Sequence, residues 1–137
     1  MGITKAEALK AVDRERGPVC EASDRIWDQP ETAFQEFHST DVLCELLEKE
    51  GFRVERNLAG IATAFSGTYG SGKPVVGILG EFDALSGLSQ ESESLEKTAL
   101  VDGAPGHGCG HNLLGTGSVA AAIAVKEYLE KNGKEGT

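Results

Sequence analysis

The residue types best suited to chemistry lie in the run GHGCGHN, residues 106–112. His107, Cys109 and His111 alternate there with glycines. In a locally extended backbone, a period of two projects all three side chains toward one side. Imidazole nitrogen and thiolate sulfur suit Zn(II) and other late divalent metals, and the glycines leave room for a close approach. The spacing therefore predicts a site for one metal ion.

Three other interpretations of this run stay open. It could be a purely structural Gly-rich turn with two surface histidines and one buried thiol. It could hold a redox cysteine, although no second cysteine lies at a C-x-x-C distance. It could be a phosphate-binding loop, although no lysine follows the glycines as a P-loop requires.

Two carboxylates, Glu81 and Asp83, end the apolar part of KPVVGILGEFDAL, residues 73–85. The run before them is continuously apolar, which is expected of a strand covered on both faces. It consists of Val75, Val76, Ile78 and Leu79. Open α/β sheets generally build their sites at the carboxyl ends of such strands. We therefore expect both acids to lie at a functional edge of a sheet.

Helices are predicted around these groups from the spacing of apolar residues. A charged helical pattern runs from Thr4 to about Arg16, and a second runs from about Glu21 to Phe37. The second carries apolar side chains at Ile26, Ala33, Phe34 and Phe37.

The clearest amphipathic helix is STDVLCELLEKEG, residues 39–51, with one apolar face and Gly51 to end it. That face consists of Val42, Leu43, Leu46 and Leu47. A buried helix is predicted from about His111 or Asn112 to Gly133, with small residues that allow close packing against the sheet.

Between the helices the apolar period changes to two. The segments FRVERNLAG and IATAFSGTYG, residues 52–70, predict a hairpin with a turn at Ala59 and Gly60. The polar stretch from Ser86 to Val101 predicts a solvated loop.

Composition limits the function classes. Thirteen Lys and Arg against 22 Asp and Glu give a net charge of -9, which argues against nucleic acid and anionic membranes as partners. The N-terminus lacks the apolar core of a secretory signal. Three cysteines are a poor disulfide framework and indicate a reducing compartment, the cytoplasm. Of these, Cys20 and Cys44 are predicted to be small, buried apolar side chains.

Three phrases resemble, in this order, the start of M20 family amidohydrolases, especially the aminobenzoyl-glutamate hydrolase branch. They are QPETAFQEFHSTDVLCELLEKEGF, GILGEFDAL and APGHGCGHNLLGTGSVAAAIAVKEYL. The match runs from about Ile26 to the end of the chain. The phrase GHGCGHNLLG is close to a signature of that branch, and the order of the three is hard to obtain by chance.

For the fold, the resemblance implies an α/β class: a partial three-layer catalytic domain of the zinc-peptidase-like type, with a mixed sheet flanked by helices. Residues 1–137 would form the N-terminal portion of this catalytic domain, truncated before the later strands and the lid and dimerisation domain. The sheet edge left open there leads us to expect a homo-oligomer, with that edge as one route to pairing.

For the site, the resemblance implies that Cys109 and His111 are metal ligands in a centre that holds two ions, Zn or Mn, in the complete enzyme. Asp83 matches the catalytic aspartate of the strand-end motif. Glu81 stands where relatives outside this branch have a histidine ligand. It is therefore a candidate metal ligand, or a carboxylate that contacts the ligands without binding the metal itself. His107 and Asn112 would contact the ligands or the substrate.

The implied reaction is hydrolysis of the amide bond of an N-acyl or N-aroyl amino acid, such as p-aminobenzoyl-glutamate, by a metal-activated water. In relatives the glutamate that serves as general base lies beyond the C-G-H motif, outside these residues. We therefore expect this chain alone to be inactive. The alternative is a non-catalytic fragment that binds metal or a partner.

Overall fold

The computed structural model describes residues 5–137, which combine helices with a two-stranded antiparallel sheet. This mixture agrees with the partial α/β domain expected from the sequence. Thr4, the predicted start of the first helix, lies outside the described residues. The elements are α1 (Lys5–Arg14), α2 (Arg16–Asp28), α3 (Phe37–Lys49), β1 (Arg53–Arg56), a 3-10 turn (Leu58–Gly60), β2 (Phe65–Thr68) and α4 (His111–Asn132).

Helix α3 forms the centre of the core, as its apolar face predicts. Its residues Val42, Leu43, Leu46 and Leu47 are all buried, and Cys44 is fully buried beside them. Gly51 takes a positive φ of 80°, and the Phe52 amide donates to the Leu47 carbonyl at 3.0 Å. The glycine thus ends the helix and turns Phe52 back over the core.

Helix α2 ends earlier than predicted, at Asp28 rather than Phe37. Pro30 explains the stop, because its ring disfavours helical backbone at the residue before it. Residues 33, 34 and 37 are exposed rather than part of a buried face. The prediction of a buried Cys20 is also wrong, since α2 turns Ala22, Ser23 and Ile26 inward and leaves Cys20 exposed.

The hairpin and the C-terminal helix agree with the sequence. Strands β1 and β2 pair antiparallel with Val54 opposite Gly67, and the turn between them contains Ala59 and Gly60 at positive φ. Helix α4 ends at Gly133 with a φ of 55° and packs against α1, α2 and α3. Among residues 5–137, no helix is both long enough and apolar enough to cross a membrane.

Residues 74–83, here named the site segment, depart most from the prediction. They lie outside the named strands, and Val76 and Leu79 are 59% and 93% exposed rather than covered on both faces. The prediction of a buried central strand is therefore wrong for this structure. An apolar run becomes such a strand only when strands pair at both of its edges, and the described residues do not supply that pairing. The stretch from Ser86 to Val101 is an irregular loop, as predicted.

Candidate metal centre

The end of the site segment is held from two sides by backbone hydrogen bonds. The Ala84 amide donates to the Glu31 carbonyl at 2.7 Å. Leu85 and Gly106 exchange both of their backbone hydrogen bonds, each at 3.1 Å. Asp83 is therefore fixed between the chain entering α3 and the loop that carries the histidines.

The loop from Gly106 to Gly110 depends on glycine at two places. A Cβ at Gly106 would lie 2.2 Å from the Leu88 carbonyl oxygen, so no other residue fits there without a shift. Gly110 has a φ of 85°, and its amide donates to the His107 carbonyl at 2.8 Å, closing a turn. His111 follows this turn directly as the first residue of α4.

Glu81, Asp83 and His111 form a group in which one possible ligand atom from each lies within 4.8 Å of the others. The His111 Nδ1 atom lies 3.0 Å from Asp83 Oδ1 and 3.0 Å from the Asp83 carbonyl oxygen. The His111 Nε2 atom lies 3.5 Å from Glu81 Oε2. No other group of three or more such residues occurs within residues 5–137.

The chemistry of this group fits a cation. If Nδ1 carries the ring proton and donates it to Asp83, the Nε2 lone pair of His111 faces a Glu81 carboxylate oxygen. Two acceptors face each other in that arrangement, and either a second proton on the ring or a metal ion between them relieves the repulsion. Carboxylate oxygen and imidazole nitrogen are ligands that Zn(II) and Mn(II) accept.

The group is open to solvent on the Glu81 side. The Glu81 side chain is 70% exposed, whereas those of Asp83 and His111 are 23% and 24% exposed. An ion or a small substrate can therefore reach Glu81 directly, while the other two side chains are held by their surroundings.

An extended backbone would project His107, Cys109 and His111 toward one side. In the structure, only His111 of these three belongs to the group. Because residues 107–110 form a turn, the period of two is broken. Cys109 is exposed and lies outside the group. His107 is 2% exposed, and its ring nitrogens make no hydrogen bond of good geometry, although the ring lies near the backbone of Ile26. Burial, and secondarily the nearby His111, lowers the pKa of His107 below its ordinary value, which favours the neutral ring.

Asn112 is buried at the start of α4, where its side-chain amide donates to Ser23 Oγ at 3.0 Å. The bond joins α4 to α2 within the interior. A role for Asn112 toward ligands or substrate, implied by the resemblance, stays a prediction.

Comparison with known proteins shows which proteins this chain is similar to in sequence. The chain is 50% identical over 127 residues to one subunit of the p-aminobenzoyl-glutamate hydrolase of Escherichia coli, covering 93% of this chain and 26% of that protein. It is 28% identical over 142 residues to the human Xaa-Arg dipeptidase, covering 93% of this chain and 28% of the dipeptidase. No family model matches the chain.

The chain is homologous to the M20 amidohydrolases. This confirms the resemblance seen in the three sequence phrases. The chain spans about a quarter of the length of the curated relatives it matches, since it covers 26% and 28% of them. The mouse Xaa-Arg dipeptidase matches at 27% identity over a similar share, 28% of its length.

Glu31 contributes to the site of this M20 homologue, and the sequence analysis did not single it out. Its carboxylate accepts hydrogen bonds from the His38 and Ser39 amides at 2.9 and 2.8 Å and from Ser39 Oγ at 2.9 Å. Through its carbonyl it also holds Ala84. An acid placed shortly after a helix-stopping proline and shortly before the next helix was the available signal.

Proposed function

We propose that this chain contributes a divalent-metal centre to an amidohydrolase that cleaves N-acyl or N-aroyl amino acids of the p-aminobenzoyl-glutamate type. The observation that carries the proposal is the convergence of Glu81, Asp83 and His111 on one point. Its support from relatives is the 50% identity to part of a p-aminobenzoyl-glutamate hydrolase.

In this proposal, His111 and Glu81 are ligands to Zn or Mn. Asp83 is a ligand or holds the His111 ring, because its carboxylate and carbonyl oxygens both lie 3.0 Å from Nδ1. Cys109 is a further ligand, brought in by movement of the turn between its flanking glycines. The remaining coordination positions and the second ion of the pair need donors from outside the group, since a tetrahedral site requires four ligands.

A divalent metal in such a site supplies Lewis acidity, which polarises an amide carbonyl and lowers the pKa of water. The chain's own residues orient the ligand set. Asp83 fixes the tautomer and the ring orientation of His111. Because His111 is the first residue of α4, the helix fixes the position of the ring beside the site segment. His107, which is buried close to His111, is proposed to contact a ligand or the substrate after a small shift.

The names of the relatives support a substrate class. One is a hydrolase of p-aminobenzoyl-glutamate and two are dipeptidases, and both kinds of substrate contain an amide bond to an amino acid. We propose a small molecule of this kind as the substrate, with neither nucleic acid nor a membrane as partner.

The chain is proposed to need further polypeptide, beyond these residues, for catalysis. Its relative in E. coli is named as one subunit of a hydrolase, which indicates an assembly of several subunits in that protein. The general base is proposed to lie outside these residues, so the chain alone is expected to be inactive. A homo-oligomer and a cytoplasmic location are parts of the same proposal, the latter supported by three unpaired cysteines.

A chimera tests this proposal. The matching 26% of the E. coli protein is replaced by this chain, and release of glutamate from p-aminobenzoyl-glutamate is measured with Zn(II) or Mn(II). We expect the chimera to hydrolyse the substrate. Asp83→Asn in the chimera is expected to lower kcat/KM by roughly 100-fold or more, because it removes the carboxylate that holds His111.

Asp102→Asn is the matched control, since it makes the same charge change on an exposed loop residue. A folded chimera that binds metal without any hydrolysis would favour the alternative, a non-catalytic metal-binding fragment. Hydrolysis by the isolated chain of 137 residues would overturn the proposed position of the general base.

A further inference from the structure

Residues 86–105, here named the tongue, separate the two halves of the candidate metal centre along the chain. Asp83 lies just before the tongue, and the loop that leads to His111 follows it. At its base, Leu85 and Gly106 exchange two backbone hydrogen bonds, each at 3.1 Å. The structure describes the whole tongue and assigns neither helix nor strand to it. Other contacts must therefore close it.

Apolar packing contributes little to the closure of the tongue. Leu95, Leu100 and Val101 are 106%, 64% and 63% exposed. At the tip, Glu93 has a positive φ of 60°, which is uncommon for a residue that carries a Cβ. Because exposed side chains gain almost no hydrophobic stabilisation, the tongue depends on its hydrogen bonds.

The side chain of Gln90 supplies three of these hydrogen bonds. Its Nε2 atom donates to the Glu91 and Glu96 carbonyls at 3.1 and 3.0 Å. Its Oε1 atom accepts from the Thr98 amide at 3.2 Å. A side-chain amide has two N–H donors and one carbonyl acceptor, so every polar group of Gln90 is used. Together with the bond from the Glu91 amide to the Thr98 carbonyl at 2.8 Å, these contacts close the outer part of the tongue.

Two further hydrogen bonds close the tongue nearer to its base. The Ser89 amide donates to the Ala104 carbonyl at 3.1 Å, and Ser89 Oγ accepts from the Val101 amide at 3.2 Å. With these links in place, few residues remain between them and the pair at Leu85 and Gly106. The entropy cost of closing that pair is therefore lower than for an open loop of the same length.

Leu88 connects the tongue to the loop that carries the histidines. A Cβ at Gly106 would lie 2.2 Å from the Leu88 carbonyl oxygen, and one at Gly108 would lie 3.3 Å from the same atom. The Leu88 backbone therefore lies directly against the two glycines that flank His107. A shift of the tongue moves this contact, and with it the turn that ends at Gly110.

We propose that Gln90 is a positioning residue for the metal centre. By closing the outer tongue, it keeps Leu88 against the two glycines beside His107. This contact fixes the turn that places His111 beside Asp83. The effect on a metal ligand rests on the proposed function, whereas the coupling of the tongue to the turn does not depend on metal.

The test uses Gln90→Met in the full chain, which removes all three hydrogen bonds and keeps the length of the side chain. The Gly110 amide donates to the His107 carbonyl, and its exchange with solvent is measured by NMR. We expect this exchange to be about tenfold faster in the variant, with the amides of α3 unchanged, because only the turn opens more often. Zn(II) affinity, measured by calorimetry, should fall by about tenfold. Gln35→Met is the matched control, since Gln35 is exposed and lies outside the tongue.

An unchanged Gly110 amide would overturn the proposal, even if the amides of Glu91 and Thr98 exchange faster, because Gln90 would then hold only the tongue. Equal acceleration at Gly110 and throughout α3 would also overturn it, since that result reports a loss of overall stability. Unchanged Zn(II) affinity with a faster Gly110 amide would remove the role in metal positioning. A parent chain that binds no Zn(II) would contradict the proposed function, and the Gly110 amide would still decide whether Gln90 holds the turn.

Discussion

His111 is the first residue of α4, and its ring lies between the carboxylates of Glu81 and Asp83. The turn that ends at Gly110 creates this coincidence, because it reverses the chain immediately before the helix. The same turn sends His107 inward and Cys109 outward. At the scale of single residues, therefore, the turn closed by the hydrogen bond from Gly110 to His107 determines which side chain of this loop joins the group of possible metal ligands.

The first prediction concerns Cys109. Thiolate is a soft ligand that favours Zn(II) over Mn(II). We expect Cys109→Ser to weaken Zn(II) affinity by about tenfold and to leave Mn(II) affinity nearly unchanged, as measured by isothermal titration calorimetry. Cys20→Ser is the control, since Cys20 is also exposed but lies on α2. A Zn(II) affinity in Cys109→Ser equal to that of the parent chain and of Cys20→Ser would remove the sulfur from the site.

The second prediction concerns Cys44, whose thiol is fully buried in α3. Burial raises the pKa of Cys44 from 9.0 to about 11. The folded state therefore holds the thiol proton more tightly than the unfolded state, and this stabilisation is present below pH 9 and lost as the pH rises from 9 to 11. Between about pH 8 and 10, we expect the free energy of unfolding to fall by roughly 1 kcal/mol more than in Cys44→Ala.

Urea unfolding at both pH values measures this difference. The comparison between the two proteins cancels the lysines and tyrosines that titrate in the same range. A Cys44→Ala protein whose stability falls as steeply as that of the parent would show that the thiol does not contribute.

At the scale of elements, the site depends on how closely α4 approaches the site segment. A Cβ at Gly115 would lie 2.9 Å from Phe82 Cβ and 3.2 Å from the Glu81 carbonyl oxygen. Ser118 Oγ donates to the Leu79 carbonyl at 2.8 Å one turn further along. Glycine at 115 thus lets the helix backbone lie against the segment that carries both acids.

The third prediction uses two glycines of the same helix. Gly115→Ala should destabilise the fold by about 1–3 kcal/mol, because the added methyl group overpacks the contact with Phe82. Gly117→Ala should stabilise it by about 0.5–1 kcal/mol, since nothing lies within 4 Å of that position and alanine favours helix. Thermal or urea unfolding measures both, and the same sign for both substitutions would contradict the packing argument.

Elements whose formation depends on local signals were predictable from the sequence. The apolar face of α3, the glycine stops at Gly51 and Gly133 and the β1–β2 hairpin all follow from spacing within a few residues. The end of α2 was missed because the apolar spacing was given more weight than Pro30. The site segment was missed because burial of a strand depends on neighbours distant in sequence.

At the scale of the whole molecule, the site was predictable in part for the same reason. Asp83 and His111 stand out by residue type and motif, but their meeting depends on two backbone clamps, Ala84 to Glu31 and Leu85 to Gly106. Those clamps join segments far apart in the chain, and no local pattern predicts them. Glu81 was predicted only as a candidate, since relatives outside this branch have a histidine at that position, and its distance to His111 is set by the same clamps.

The most direct test of the account is the Zn(II) and Mn(II) affinity of the chain and of its Asp83→Asn variant, measured by calorimetry and elemental analysis. We expect weak binding of one ion, because the three converging donors fall short of the four that a tetrahedral site requires, and the turn must move to bring in Cys109 as another. Asp83→Asn should weaken it by roughly 100-fold, and Asp102→Asn should leave it unchanged. Equal affinity in all three proteins, or no binding by the parent chain, would contradict a metal centre at Glu81, Asp83 and His111.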